Sequence, residues 1–339
     1  MGVRIYPVVE AKDFVYGHRH GWLDALLQAA EGFMLRPERE LGHAFAAQLT
    51  LRQYLMRRYG VQLNGGVIMM DHGIMSQSFA KAFGLPKTPR NIVRIYKVLG
   101  VDYGIAYDIP VRLGVAIHDP VAKRARSIRE LSRIAVEEGA KRLREMAEEA
   151  ERVGFTGLVP AVQGLYRDDV ELSAEESVRI MSEHRSNFLV AIGTGGRTLT
   201  RQDAELIRFA VESVERYAAR YGVSVRIHLL GWSSPERLDP SLIRRIYSAD
   251  SLTPRRRAVE GKLYVVESGR LRLVEASKAQ RYSCRCPACR DPILRSYVLD
   301  PSGTRKNDVR MVHNVYVLQQ HLVSITTKRS YSTKPEHVQ

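Results

Sequence analysis

GLVPAVQG (residues 157–164), FLVAIGTGG (188–196) and VSVRIHLLG (223–231) are three short apolar runs, and each ends in glycine or a polar residue. Two segments with the spacing of amphipathic helices, Ala174 to His184 and Gln202 to Tyr221, lie between these runs. Short apolar strands that alternate with helices are typical of a parallel sheet that is covered by helices. This stretch therefore predicts an α/β fold.

The same alternation extends in both directions along the chain. Further helices are predicted at about Gly21 to Glu31, Glu38 to Arg58, Pro120 to Val153 and Pro240 to Ile246. Polar residues or glycines follow the strands at Asp71, Asp108, Gln163, Gly193 and Asp250. Repeated units of this kind favour a closed (β/α)8 TIM barrel over an open doubly wound sheet, and in such barrels the active site gathers at the C-terminal rim.

The composition limits the class of protein. With 339 residues, of which 45% are hydrophobic, the chain can bury a substantial core. The N-terminus does not have the apolar run of a signal peptide, and no apolar stretch reaches the roughly 18 residues of a membrane span. We therefore expect a cytoplasmic protein with no membrane partner.

The charge balance points to a polyanionic partner. A formal net charge of +15 favours binding to nucleic acid, because neutralised phosphates release their condensed counterions. The basic residues recur along the chain, for example at Arg57-Arg58 and Arg244-Arg245, and are not confined to one tail. The alternative is a generally basic, solvated surface, and charge alone does not distinguish DNA from RNA.

The cysteines form one cluster. Cys284, Cys286 and Cys289 all lie in the segment CRCPAC, and His313 follows further along the chain. Such clustering suits a metal site better than disulfides. Three thiolates and one imidazole make a complete tetrahedral set for a structural Zn²⁺ ion. Two alternatives stay open: three incidental cysteines with an unrelated histidine, and a zinc ribbon in a simple nucleic-acid-binding module.

Several motifs together resemble the tRNA-guanine transglycosylase (queuine/archaeosine tRNA-ribosyltransferase) family. CRCPAC with the later HNVYVL (313–318) is similar to the family's zinc site, which is inserted near the C-terminal end of a TIM barrel. Other segments that match in the family's order are DHGIMSQ (71–77), DYGIAYDIPV (102–111), VQGL (162–165), AIGTGG (191–196), IHLLGWSSPERL (227–238) and ADSLTPRRRA (249–258). The resemblance covers roughly Val67 to Leu318.

The resemblance implies a pentosyltransferase that exchanges guanine in a nucleic acid through a covalent glycosyl-aspartate intermediate. Asp250 would be the nucleophile that attacks the anomeric carbon, and Asp71 the acid/base that protonates the departing purine. The base-binding residues implied in the same way are Asp108, Gln163, Gly193, Thr194, Gly195, Leu230 and Gly231. The incoming base would be a 7-deazaguanine such as preQ0 or preQ1.

The implied chemistry agrees with the residue types. Cleaving a glycosidic bond with retention needs one carboxylate at the sugar and a second group for the proton of the leaving group. Arg255, Arg256 and Arg257 follow Asp250 closely and would hold phosphates beside an extruded nucleotide. The alternatives are that an aspartate at a strand end only caps the next helix, and that the arginines form a solvated face.

Some positions depart from the family's pattern. His72, Ile74 and Met75 stand where the family shows Ser, Gly and Phe, so we expect Met75 to replace the aromatic ring that stacks on the base. Leu165 and the Thr194-Gly195 pair also change two turns of the pocket. These departures leave open whether the acceptor is tRNA or DNA, and they slightly favour the branch that places 7-deazaguanines in DNA.

We expect four segments, which are a divergent N-terminal part of the barrel domain (1–60), the TIM-barrel catalytic core (61–278), the zinc-binding subdomain with a closing helix (279–325) and a basic tail (326–339). The resemblance also implies a homodimer that forms through the zinc region. Two other hypotheses are a non-catalytic nucleic-acid-binding subunit of a transglycosylase complex and a different barrel enzyme with a zinc ribbon. The presence of Asp250 and Asp71 argues against the first, and the high positive charge against the second.

Overall fold

Parallel strands dominate the structure, a computed structural model that describes residues 3–72, 76–109, 111, 119, 121–193, 201–232, 239–300 and 307–327. The strands are β1 (Arg4–Val9), β2 (Gly32–Leu35), β3 (Val67–Met70), β4 (Tyr103–Ile105), β5 (Leu158–Val159), β6 (Ala161–Val162), β7 (Asn187–Gly193), β8 (Ser224–Leu230) and β9 (Ser248–Ser251). Their order in the sheet is β5-β4-β3-β2-β1-β9-β8-β7-β6, and every neighbouring pair is parallel.

The sheet closes on itself at Pro160. Segment β5 pairs with β4 and segment β6 pairs with β7, and only Pro160 separates the two segments. Proline has no backbone N–H and so interrupts the ladder, but its carbonyl oxygen still accepts a hydrogen bond of 2.8 Å from the backbone N–H of Ala191. Since β5 and β6 form one interrupted strand, the described residues supply eight strands to the barrel, which confirms the predicted (β/α)8 fold.

Helices surround the barrel in the described residues. They are α1 (Ala11–Arg19), α2 (Leu23–Ala29), α3 (Arg39–Ala46), α4 (Leu51–Tyr59), α5 (Ser76–Phe83), α6 (Pro89–Leu99), α7 (Ile128–Val153), α8 (Arg167–Ser182), α9 (Arg201–Arg220), α10 (Pro240–Ile243) and α11 (Thr253–Val259). None of the described helices is long and apolar enough to span a membrane.

Capping residues explain where the observed helices differ from the predicted ones. The long helix α7 begins at Ile128, because the Ser127 hydroxyl accepts a hydrogen bond from the backbone N–H of Glu130. The helix predicted over residues 38–58 consists of α3 and α4. Thr50 starts α4 through a capping box with Gln53, so the chain turns between the two helices.

The first two barrel strands lie in the N-terminal segment, where the sequence predicted two helices but no strand. Strand β1 pairs with both β2 and β9, so it joins the beginning of the barrel to its end. It contains Pro7, a residue that normally argues against an internal strand. Strand β2 has only four residues, which are all buried and show no alternation between apolar and polar side chains.

A smaller unit follows the last barrel strand. It consists of an antiparallel hairpin of β10 (Lys262–Glu267) and β11 (Arg270–Glu275), followed by α12 (Pro287–Arg290), α13 (Pro292–Leu299) and α14 (Asn307–Thr327). Helix α14 packs back onto the barrel. The Gln319 side chain accepts a hydrogen bond from the backbone N–H of Ile5 (2.7 Å) and donates one to the carbonyl of Val3 (2.6 Å).

Candidate functional site

The polar residues at the strand ends lie along one rim of the barrel. Asp71 follows β3, Asp108 follows β4, Gln163 follows β6, Gly193 ends β7, and Asp250 lies in β9. Because all these strands are parallel, their C-terminal ends face the same side, where TIM-barrel enzymes carry their active sites. The structure thus brings together residues that are up to about 180 positions apart in the sequence.

Asp250 is buried and held by its neighbours on β8. Only 4% of its surface is exposed. Its Oδ1 atom accepts a hydrogen bond of 2.7 Å from the backbone N–H of Gly231 and lies 3.3 Å from Nε2 of His228. Gly231 has a φ of 75°, which favours glycine over residues with a side chain. This turn therefore aims a backbone donor at the carboxylate.

Two further carboxylates of the rim lie close to the side chain of His72. The imidazole is almost fully buried, and its Nε2 atom lies 3.0 Å from Oδ1 of Asp108 and 3.9 Å from Oδ1 of Asp71. Asp71 and Asp108 are each about one-fifth exposed, so both carboxylates reach the surface of the rim. His72, noted in the sequence only as a departure from a family pattern, therefore links the predicted acid/base to a predicted base-binding residue.

Two cations extend this cluster around the ring of Tyr107. The Lys87 ammonium lies 4.4 Å from the ring centroid, and the guanidinium carbon of Arg142 lies 4.1 Å from it. Arg142 is itself fixed by two hydrogen bonds to Asp119, of 2.8 and 3.2 Å. Positive charge therefore stands beside the carboxylates of the rim.

Burial lowers the pKa of Lys87 to about 8, although the nearby carboxylates of Asp71, Asp108 and Asp119 favour its charged form. The folded protein thus binds this proton less tightly than the unfolded chain, whose lysine has its ordinary pKa of about 10.5. The Lys87 contribution to stability must then increase as the pH rises between these two values.

We expect Lys87→Met to remove this pH dependence. Relative to the variant, the free energy of unfolding of the wild type should rise by about 2 kcal/mol between roughly pH 7.5 and 9.5. Urea denaturation of both proteins across this range measures the difference. Lys81→Met, which changes an exposed lysine on α5, serves as the control. Equal pH slopes for Lys87→Met and the wild type would contradict the burial of the charge.

Gln163 makes contacts that the sequence did not predict. Its side-chain amide is buried and donates a hydrogen bond of 3.1 Å to the carbonyl of Ala135 on α7, and its backbone N–H donates to the hydroxyl of Ser173. The amide is therefore engaged with the helix layer. Leu230 ends β8 at the rim. The predicted pocket residues Met75, Thr194 and Gly195 lie outside the described residues.

The three arginines after Asp250 have different surroundings. Arg255 donates hydrogen bonds to Asp13 (2.8 and 3.1 Å) and lies 3.4 Å from Asp308, so it ties α11 to α1 and α14. Arg257 forms an ion pair of 2.9 Å with Glu260. Arg256 is exposed and has no ion pair within the part of the chain that the structure describes. Of the three, Arg256 is the side chain that faces solvent.

The three cysteines and His313 meet in one place. The four ligand atoms all lie within 4.8 Å of one another, and only Cys284 is more than slightly exposed. The Nδ1 atom of His313 lies 3.4–3.5 Å from each sulfur. This spacing matches the roughly 3.5 Å edge of a tetrahedron built with ordinary Zn–S and Zn–N bond lengths. The Cys3His group therefore fits a metal ion.

The surroundings of the group also suit a metal. The Nε2–H of His313 donates a hydrogen bond of 2.9 Å to the carbonyl of Tyr264, which leaves Nδ1 free to bind an ion. Backbone N–H groups of Cys286 and Cys289 point at sulfur atoms 3.4 and 3.2 Å away, and such bonds favour the thiolate form. The neighbouring Asn314 donates to Pro254 and Lys262, which connects this region to α11.

The polar side chains of the site that were not predicted as site residues from the sequence include His72, Lys87 and His228. Lys87 lies before α6 and is not part of a recognisable motif. His228 lies within β8, and the sequence of this strand does not mark which of its side chains face the barrel interior. A signal for His228 was nonetheless present. In VSVRIHLLG it lies two residues before Leu230, so both side chains point into the barrel by the two-residue period of a strand.

A family model described as Queuine tRNA-ribosyltransferase matches residues 61–328, which is well over half of the chain. No curated protein matches the chain.

Proposed function

We propose that this chain, which belongs to the queuine tRNA-ribosyltransferase family, replaces guanine in a nucleic acid with a 7-deazaguanine through a covalent intermediate on Asp250. The family acts on nucleic acid as a transglycosylase. The observation that carries the proposal for this chain is the placement of Asp250. It is a buried carboxylate at the barrel rim, with one oxygen held by the N–H of Gly231.

The proposed reaction has two displacement steps at the anomeric carbon C1′. In the first, Oδ2 of Asp250 forms a bond to C1′, the bond from C1′ to N9 of guanine breaks, and Asp71 gives its proton to the leaving purine. In the second, the nitrogen of the incoming base attacks C1′ and loses its proton to Asp71, and the Asp250 carboxylate leaves. Two inversions give overall retention, and no external energy source is needed.

The base pocket is proposed to lie next to Asp71, around Asp108. A carboxylate accepts hydrogen bonds only, and the N1–H and exocyclic amine of guanine or a 7-deazaguanine such as preQ0 or preQ1 are donors. His72 holds Asp108 in place at 3.0 Å. Gly193, Leu230 and Gly231 border the same rim and would form the adjoining wall. The amide of Gln163 would have to turn away from Ala135 to reach the base.

The acceptor is proposed to be a polynucleotide because the chain has a net charge of +15. The exposed Arg256, which follows the strand that carries Asp250, would contact a phosphate. A structural Zn²⁺ ion held by Cys284, Cys286, Cys289 and His313 would clip the β10–β11 region to α14 and take no part in the chemistry.

A labelling experiment tests the function and identifies the acceptor. The protein is incubated with radiolabelled guanine and either unmodified tRNA or duplex DNA, and the label retained in the polymer is counted. We expect label in one of the two acceptors, and its loss when unlabelled preQ0 or preQ1 is added in excess. Retention in neither acceptor, with protein that is folded and loaded with metal, would argue for a non-catalytic nucleic-acid-binding subunit.

A further inference from the structure

A fully buried histidine lies inside the barrel beside the proposed nucleophile. His228 has 0% of its surface exposed and stands two residues before Leu230 on β8, facing the barrel interior. Burying an imidazole without hydrogen bonds is costly, so both ring nitrogens need partners. The apolar core inside the barrel includes Val8, Leu189 and Ala191, and Ala191 lies opposite His228 in the pairing of β7 with β8.

Both nitrogens of His228 have partners, and both partners lie on β9. Nδ1 lies 2.9 Å from the hydroxyl of Ser248, and Nε2 lies 3.3 Å from Oδ1 of Asp250. The parallel register places His228 directly opposite Ser248, and Asp250 follows two residues later on the same face. The Tyr6 ring is stacked against the imidazole, with a centroid distance of 6.0 Å and an interplanar angle of 29°.

These contacts determine which nitrogen carries the hydrogen. An ionised carboxylate can only accept hydrogen bonds, so Nε2 must donate to Asp250. In a neutral imidazole the other nitrogen is then an acceptor, and the hydroxyl of Ser248 is the group beside it that can donate. The carboxylate of Asp250 therefore selects the Nε2–H tautomer, and the hydroxyl of Ser248 supports it by donating to Nδ1.

The two carboxylate oxygens of Asp250 therefore differ in the hydrogen bonds that they accept. Oδ1 is in contact with two donors, the N–H of Gly231 at 2.7 Å and Nε2 of His228 at 3.3 Å. Nothing in the described part of the chain donates a hydrogen bond to Oδ2. We propose that Ser248, His228 and Asp250 form a relay that holds Oδ1 and leaves Oδ2 as the oxygen that attacks the sugar. The proposal rests on the proposed function, in which Asp250 is the nucleophile.

The relay has a specific consequence for the covalent intermediate. While Oδ2 is bonded to C1′, Oδ1 is an ester carbonyl, which accepts hydrogen bonds more weakly than a carboxylate does. When the incoming base forms its bond to C1′, the electron pair of the C1′–Oδ2 bond returns to the carboxylate and is shared with Oδ1. Donors at Oδ1 therefore stabilise the free carboxylate more than the ester, and His228 favours release of the modified nucleic acid.

His228 acts through Asp250 and is therefore a positioning residue. The test measures the fraction of protein trapped as a covalent adduct with nucleic acid on denaturing gels, as free guanine is increased. In His228→Leu, which has no donor, we expect the guanine concentration that halves the adduct to rise roughly 5-fold. His228→Gln places an amide N–H near the position of Nε2 and should return this midpoint to within about 2-fold of the wild type.

Two further variants make the result specific. Ser248→Ala removes only the hydroxyl that donates to Nδ1 and so weakens the hold on the imidazole, and we expect a shift in the same direction but smaller than that of His228→Leu. His184→Leu changes a histidine that pairs with Glu151 on α7, far from the rim, and should leave the midpoint unchanged. A purely structural role for His228 would reduce the amount of adduct equally at all guanine concentrations, without moving the midpoint.

The outcomes separate the relay from the function on which it rests. Absence of any wild-type adduct with either tRNA or DNA contradicts the proposed function and the relay together. A wild-type adduct whose midpoint is unchanged in His228→Leu overturns only the relay. If His228→Leu does not fold, an unshifted midpoint in Ser248→Ala overturns it instead.

Discussion

Asp250→Asn is expected to abolish both base exchange and the covalent adduct. The asparagine has nearly the same shape as Asp250, and its Oδ1 atom can still accept the hydrogen bond from Gly231, so the fold should be retained. A neutral amide is not a nucleophile for the anomeric carbon. The loss should therefore be roughly 10⁴- to 10⁶-fold in kcat, the range found when a nucleophile or its activating partner is removed from a covalent mechanism. Incorporation of labelled guanine measures it.

Asp102→Asn is the matched control for this variant. Asp102 precedes β4 and so lies at the opposite end of the barrel from the proposed site, where its carboxylate contacts Arg52 and the backbone N–H of Ile68. We expect its rate of base exchange to stay close to that of the wild type. If Asp250→Asn retained the wild-type rate, or still formed the adduct, another residue would have to be the nucleophile.

Cys286→Ser is expected to have the largest effect on stability. Cys286 is fully buried, caps α12 and lies 3.5 Å from Nδ1 of His313. A structural metal stabilises only the folded state, so losing one of its four ligands removes much of the binding free energy from folding. We expect the free energy of unfolding to fall by more than about 4 kcal/mol and Tm to fall by roughly 10 °C.

The loss should extend beyond the metal region itself. His313 lies on α14, and Gln319 of the same helix holds Val3 and Ile5, which lie at the start of β1. Loosening α14 would therefore weaken the pairing of β1 with β9, which joins the first strand of the barrel to the last.

Arg285→Ala is the control that distinguishes loss of a metal ligand from any other change in the same segment. Arg285 is exposed and stands between two of the cysteines, so its removal should change neither the metal content nor Tm by a measurable amount. A strong chelator should lower the Tm of the wild type toward that of Cys286→Ser and leave the Tm of the variant unchanged. A wild type that contains no metal, measured by elemental analysis, would contradict the metal site.

The sequence was most informative where the pattern is local. Three cysteines within one short segment must lie close together in any fold, so the thiolates of the metal group were predicted without knowledge of the tertiary structure, whereas only the fold brings His313 to them from 24 residues further on. The apolar runs that end at Asp71, Gln163 and Gly193 were likewise recognisable because each is complete within a few residues. Their parallel order follows from the helices that alternate with them, and the barrel followed from their number and from the polar residues at their ends.

Strands β1 and β2 were not predicted because their signal is not local. A barrel strand is buried on both faces, so it lacks the alternation of apolar and polar residues that marks a half-buried strand. Strand β1 also contains Pro7, a residue that argues against an internal strand. Only the pairing of β1 with β9 shows that residues 4–9 belong to the barrel. The tertiary structure also shows that Pro160 interrupts a strand without opening the sheet.

The chain's own sequence therefore determined the metal group, the barrel class and the aspartates that stand at its rim. The tertiary structure decided what each of these aspartates touches, because the partners come from different strands: His72 lies against Asp108, and His228 against Asp250. A hydrogen bond depends on distances of a few tenths of an ångström between residues far apart in the chain. Sequence spacing does not specify such distances, whereas the register of neighbouring strands does.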